Sequence, residues 1–241
     1  MQRTSTHTYR KRLGPWGLNA VVTVRVDVSP HVPVDGERID GLRVGFAVPE
    51  CLPARDRYYL WLGVRLVVDQ LDALAEGGFL VVRVLDFEVP ALTEYQGEAA
   101  AAALLEWFDQ NLSVRRAGHS VRFDKEANAY VFFWGRPADA VGSFVRQLFD
   151  PDPRRRELAA DRCADWPSSY GREDVRILSR ALATCAATEG DSSALEAQLH
   201  ALFELGSTGF QPRSDLAPLR AIDRDALPGV LCEYVDDLLD E

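Results

Sequence analysis

From Val21 to Val28 the apolar residues Val22, Val24, Val26 and Val28 alternate with Thr23, Arg25 and Asp27, the two-residue period of a strand with one buried face. Pro30, Pro33 and Gly36 punctuate a loop, and residues 42–48 read as a second short strand ended by Pro49 and Pro53. Beyond it, the spacing of Leu60, Val64, Val67, Val68, Leu71 and Leu74 predicts a single amphipathic helix, capped by Asp56 and closed at Gly77-Gly78. Residues 79–89 form a third strand, apolar enough at Leu80, Val82, Val84, Leu85, Phe87 and Val89 to be central, and Pro90 stops it by removing a ladder donor. An Ala-rich helix over 98–108 follows.

Two short strands, 120–123 and 130–134, flank Asp124-Lys125-Glu126-Ala127-Asn128 as a hairpin, with a helix over 139–149. From Asp150-Pro151-Asp152-Pro153 onward the strand period vanishes. Val175, Leu178, Ala181, Leu182 and Cys185 share one helical face, Ser193 with Glu196 reads as a capping box, and Leu227, Val230, Leu231, Tyr234 and Val235 mark a last amphipathic helix. The pattern predicts the α+β class in three parts: an α+β sandwich over 1–117, a hairpin plus helix over 118–150, and an acidic helical region over 151–241.

With 47% hydrophobic residues, 241 residues suffice for one large domain or two small ones. Thirty-seven acidic against 27 basic side chains give a net charge of −10, which opposes nucleic-acid binding over the whole surface. The acidity is C-terminal: residues 1–117 hold 13 basic and 15 acidic groups, residues 118–241 hold 14 and 22. Arg3, Arg10, Lys11 and Arg12 cluster at one end and the acidic run 233–241 at the other, and both read first as solvated termini. Cys51, Cys163, Cys185 and Cys232 stand far apart with no leader-like segment before them, so a reducing cytoplasm is expected. No apolar run reaches the roughly 18 to 20 residues that cross a bilayer, so no membrane partner is expected.

Motifs for a triphosphate loop, a dinucleotide turn, a zinc protease or a serine elbow are absent, and a non-enzymatic protein without cofactor is expected. His7, His31, His119 and His200 fall in different segments. Glu196, His200 and Glu204 recur every fourth residue on a predicted helix, a spacing that can offer carboxylate, imidazole and carboxylate to a divalent metal; the bland alternative is a solvated flank. Arg154, Arg155 and Arg156 are candidates to hold a phosphate or an acidic partner, or else to neutralise Asp150, Asp152, Glu157 and Asp161 around them. Tyr58, Tyr59, Trp61, Trp107 and Trp134 are candidate base-stacking residues, although aromatics at helical spacing more often pack in a core.

Three collinear blocks within residues 8–108 resemble domain IV of translation elongation factors G and 2. Gly14-Pro15-Trp16-Gly17-Leu18-Asn19-Ala20 and the strand running to Pro30 are similar to that domain's opening segment. Gly45-Phe46-Ala47-Val48-Pro49-Glu50-Cys51-Leu52-Pro53 is similar to its entry into the first helix, and residues 78–86 with Glu98-Ala99-Ala100 to its later strand and helix. The family's turn before the second helix is replaced here by Thr93-Glu94-Tyr95-Gln96-Gly97. The resemblance implies a ribosomal-protein-S5 domain 2-like fold, a sheet covered on one side by two helices, and a non-enzymatic, ribosome- or factor-associated protein that lacks the GTPase. Its expected partner is a protein or ribonucleoprotein, with direct nucleic-acid contact only through the N-terminal cluster of Arg3, Arg10, Lys11 and Arg12. The second expectation is an acidic immunity- or inhibitor-type protein that covers a basic toxin or enzyme.

Overall fold

The computed structural model describes residues 2–31, 36–39, 42–90, 95–116, 119–134 and 140–240. The fold is of the α+β class. The chain divides into two compact units, Met1–Pro137 and Ala138–Glu241. The predicted hairpin and the helix after it, grouped on sequence over 118–150, fall on opposite sides of this division. The division also sharpens the charge asymmetry, because the first unit holds 16 basic and 17 acidic residues and the second holds 11 and 20.

The first unit is built on a sheet of five strands, β1 (Gln2–Lys11), β2 (Leu18–Ser29), β3 (Glu37–Arg38), β4 (Val44–Ala47) and β5 (Phe79–Glu88), in the order β1-β2-β5-β4-β3. β4 runs parallel to β5 and every other pair is antiparallel. On β2 the alternation read from sequence is realised residue by residue: Leu18, Ala20, Val22, Val24 and Val26 are buried while their neighbours are half-exposed. A bulge opposite Thr23 and Val24 leaves Leu85 unpaired and 44% exposed, so it does not join the core as its apolar character suggested.

β1 was missed: Arg3, Arg10 and Lys11 are no loose terminus, since residues 2–11 pair with β2 along their whole length, and Arg12 follows in the turn. Its buried-side positions are Ser5, His7 and Tyr9, too polar to announce a strand.

Helices α1 (Ala54–Arg65), α2 (Val68–Ala73) and α3 (Glu98–Leu112) cover the buried side. The single helix expected over this first region breaks at Val67, which leaves helical geometry at φ −130° and ψ 16°. The Leu66 carbonyl freed by the break is taken by Arg116 Nη1 at 3.1 Å. Asp56 is also no cap. Pro53 holds the N-cap position, and Asp56 sits buried in the first turn, where its carboxylate accepts the Tyr95 hydroxyl at 2.8 Å. α3 packs against both α1 and the β1–β2 pair, which is why Ala99 to Ala103 are all fully buried: only small side chains let the backbones approach. A Cβ on Gly63 of α1 would lie 3.1 Å from the Ala101 carbonyl oxygen.

The hairpin β6 (His119–Asp124) and β7 (Ala129–Trp134) closes the end of this unit. The Tyr130 hydroxyl accepts from Leu13 N at 3.0 Å and donates to Trp16 O at 2.7 Å, fixing the β1–β2 turn. Gln96 bonds both Tyr130 N and Tyr130 O through its side chain. The aromatic set resolves in favour of the core: Tyr58, Tyr59, Trp61, Trp107 and Trp134 are all buried.

The second unit is helical among its described residues: α4 (Ala140–Leu148), α5 (Pro153–Ala164), α6 (Arg172–Ala186), α7 (Ser192–Gly206) and α8 (Gly229–Asp240), with a 3-10 stretch at Arg213–Ala221. The N-cap of α7 lies two residues before the expected Ser193: Asp191 caps the helix by accepting Ser193 N and Ala194 N. The acidic run taken for a solvated tail is α8, which buries Leu231, Val235 and Leu238.

Candidate functional site

Strand registers place Thr4, Thr6, Thr8 and Arg10 of β1 beside Arg25, Thr23, Val21 and Asn19 of β2, and these beside Arg83, Asp86 and Glu88 of β5. All of them point away from α3, because side chains two apart share a face and the intervening residues are the buried ones. Each is exposed or half-buried, so the β1–β2 part of this side, with the adjoining end of β5, presents threonine hydroxyls, the guanidinium groups of Arg10 and Arg25 and the carboxylates of Asp86 and Glu88 to solvent, whereas Val81, on the same side of β5 opposite Asp27, is fully buried. The Thr6 and Thr23 hydroxyls meet at 2.9 Å, and Asp27 holds Arg83 at 2.6 Å with Arg25 at 3.5 Å.

The predicted basic cluster splits across this sheet. Arg10 lies on the outer side and Arg12 is exposed in the turn, whereas Lys11 points to the helix side, 3.2 Å from Glu106 of α3. His7 reaches the other oxygen of the same carboxylate at 3.1 Å. Burial works to raise the Glu106 pKa, yet the bonds from His7 and Lys11 and the Lys11 charge hold the carboxyl below its ordinary value.

Arg154, Arg155 and Arg156 open α5 but do not act together. Arg154 is exposed, and Arg155 meets Asp150 at 3.2 Å. Arg156 turns inward, donating to Glu189 at 2.7 and 2.6 Å and to the carbonyls of Asp150 and Pro151 at 2.8 and 2.9 Å. It is a structural brace and is not available to a ligand. Glu196, His200 and Glu204 share the outer stripe of α7, with Glu196 and His200 exposed. Among the described residues no three His, Cys, Asp or Glu side chains converge to hold a metal ion, and Glu196, His200 and Glu204 form no such group. Side chains stacked along one helix diverge from its axis and need a ligand from a second element to close a site.

The inward-facing polar groups that sequence reasoning missed include His7, Glu106 and His119 in the first unit, and Glu189 and the buried Arg176–Asp215 pair, 3.2 Å apart, in the second. None carried a local signal, because each acquires its partner from a distant segment. No protein-family model, curated protein or solved structure matches the chain.

Proposed function

We propose that this chain is a non-enzymatic macromolecule-binding protein whose first unit is the binding module, a translation-factor-like domain that docks on a protein or ribonucleoprotein. The outer side of β1 and β2 carries this reading: helices close the core on the other side, and these two strands present threonine hydroxyls with the guanidinium groups of Arg10 and Arg25. After the first hairpin the described elements run β3, β4, α1, α2, β5 and α3, and a sheet with these helices on one face supports the ribosomal-protein-S5 domain 2-like reading. Arg10 on the outer side and Arg12 in the turn are exposed, and they are the groups this reading assigns to backbone phosphates.

Co-sedimentation with ribosomal particles at low and high salt tests it. Salt-sensitive binding that Arg10→Glu with Arg12→Glu abolishes supports the reading, and absence of binding at low salt removes the ribosomal partner. Lys11 is left intact in this test because Glu106 already engages it. The second reading, an acidic protein that covers a basic toxin or enzyme, is favoured by the 20 acidic against 11 basic residues of the helical unit. It predicts that binding survives those two substitutions and is lost when the exposed carboxylates of α8 are neutralised.

A further inference from the structure

Below the Lys11 end of β1 the first unit contains a groove of about 480 Å3. One wall is α3, through Leu105, Glu106 and Asp109; the other is β6, through His119, Ser120 and Val121. Successive side chains of a strand point to opposite faces, so three consecutive residues can line one groove only if the backbone edge of the strand faces it. The opposite edge of β6 is paired with β7 from His119↔Trp134 to Asp124↔Ala129. Among the described residues, the backbone of residues 120–123 makes no hydrogen bond other than those to β7. The groove therefore meets the start of a strand edge whose outward main-chain donors and acceptors have no partner among the described residues, the feature that templates strand addition.

Two further observations say what enters it. The His119 ring is stacked on Trp134 at 5.1 Å and 3°, and its buried Nε2 has no hydrogen-bond partner. Burial lowers the His119 pKa, which keeps the ring neutral and leaves Nε2 one unmade bond. Lys11, Arg115 and Arg116 also line the groove. Lys11 and Arg115 pair with Glu106 and Asp109, while Arg116 is held by the Trp134 and Leu66 carbonyls at 2.7 and 3.1 Å. With Lys11 and Arg115 so paired, the lining keeps a surplus of one positive charge, which suits the separate carboxylates of a polypeptide, whereas Glu106 and Asp109 oppose the unbroken charge of a nucleic-acid backbone.

We propose that an extended, acidic peptide segment of a partner protein occupies this groove, adding to β6 as a third strand of the hairpin sheet with its carboxylates toward Lys11, Arg115 and Arg116. This site is separate from the outer side of β1 and β2, and its test uses neither ribosomes nor Arg10 and Arg12.

The test titrates the full chain into a labelled peptide of roughly six residues alternating Val and Asp, read by fluorescence anisotropy. Saturable binding is expected, with amide exchange slowed at the alternate amides of residues 120–123 that face away from β7 and unchanged along β1. Methylating every second peptide nitrogen weakens binding by about tenfold in one phase, the loss of roughly two main-chain bonds, and leaves it unchanged in the other phase, because only one set faces β6. Arg115→Glu, at a side chain 79% exposed and safe for folding, weakens it further. The proposal is overturned by no binding, by equal effects of the two methylated sets, by protection outside β6, or by tighter binding of a single-stranded oligonucleotide of equal charge.

Discussion

Glu189→Gln is the sharpest probe of how the helical unit holds together. The Glu189 side chain is 1% exposed and its carboxylate accepts five hydrogen bonds: Arg156 Nε at 2.7 Å and Nη2 at 2.6 Å, Gly190 N and Asp191 N at 3.0 Å each, and Gln198 Nε2 at 2.9 Å. It ties the start of α5 to the turn between α6 and α7. Glutamine keeps the shape but replaces one acceptor by a donor that faces two donors, Arg156 Nε and Gln198 Nε2, and leaves the largely buried guanidinium of Arg156 without its counter-charge. Stranding one partner of such a pair costs about 3 to 5 kcal/mol, and because glutamine keeps one accepting oxygen we expect a loss near the lower end, about 3 kcal/mol. Chemical denaturation followed by circular dichroism measures the loss, and hydrogen exchange across α5, α6 and α7 locates it.

The effect also has a pH signature. Burial alone would raise the Glu189 pKa, but hydrogen bonds from Arg156, the Asp191 amide and Gln198 bring it below the ordinary glutamate value. A lowered folded-state pKa contributes stability that is complete above the unfolded value and drains away as the pH falls through the folded value. The gap between wild type and Glu189→Gln is therefore widest at neutral pH and closes in acid, below the normal glutamate range. A neutral-pH loss under about 0.5 kcal/mol, the size of an ordinary surface substitution, or a gap that stays constant into acid, refutes the reasoning.

Gly63→Ala is expected to destabilise the first unit by about 1 to 3 kcal/mol, because the new Cβ would press on the Ala101 backbone at 3.1 and 3.2 Å and part α1 from α3, outweighing the better helix propensity of alanine; thermal melting checks the sign. The buried thiols of Cys163 and Cys185 are pushed up by desolvation, Cys163 to about 12, whereas Cys51 is exposed. A thiol-specific disulfide reagent at mildly alkaline pH should therefore label Cys51 at once and Cys163 and Cys185 only in denaturant. Fast labelling of either buried cysteine in the native protein would contradict the packing of α5 and α6.

Where neighbouring residues carry the information, local pattern and structure coincide. Val22, Val24 and Val26 alternate with polar residues because β2 lies on a sheet with one wet side, and the Ala-rich run at 99–103 helped to mark α3 before its burial was known. The hairpin of β6 and β7 was equally legible from two short apolar runs around a polar turn. β1 was not, since its inward positions Ser5, His7 and Tyr9 look wrong for a strand until the docked helix supplies their partners: the Trp107 indole donates to Ser5 O at 3.1 Å, and Glu106 meets His7 at 3.1 Å.

The same separation divides the candidate sites. Sequence placed Arg10, Lys11 and Arg12 together, but alternation along β1 sends Lys11 to the helix side and Arg10 to the outer side. It grouped Arg154 to Arg156 as one patch, and the fold spent Arg156 on a glutamate 33 residues away. Periodicity and capping depend on residues within one or two turns, so a single sequence determines them. Ion pairs and grooves depend on which distant elements touch, and only the closing of the tertiary structure decided those.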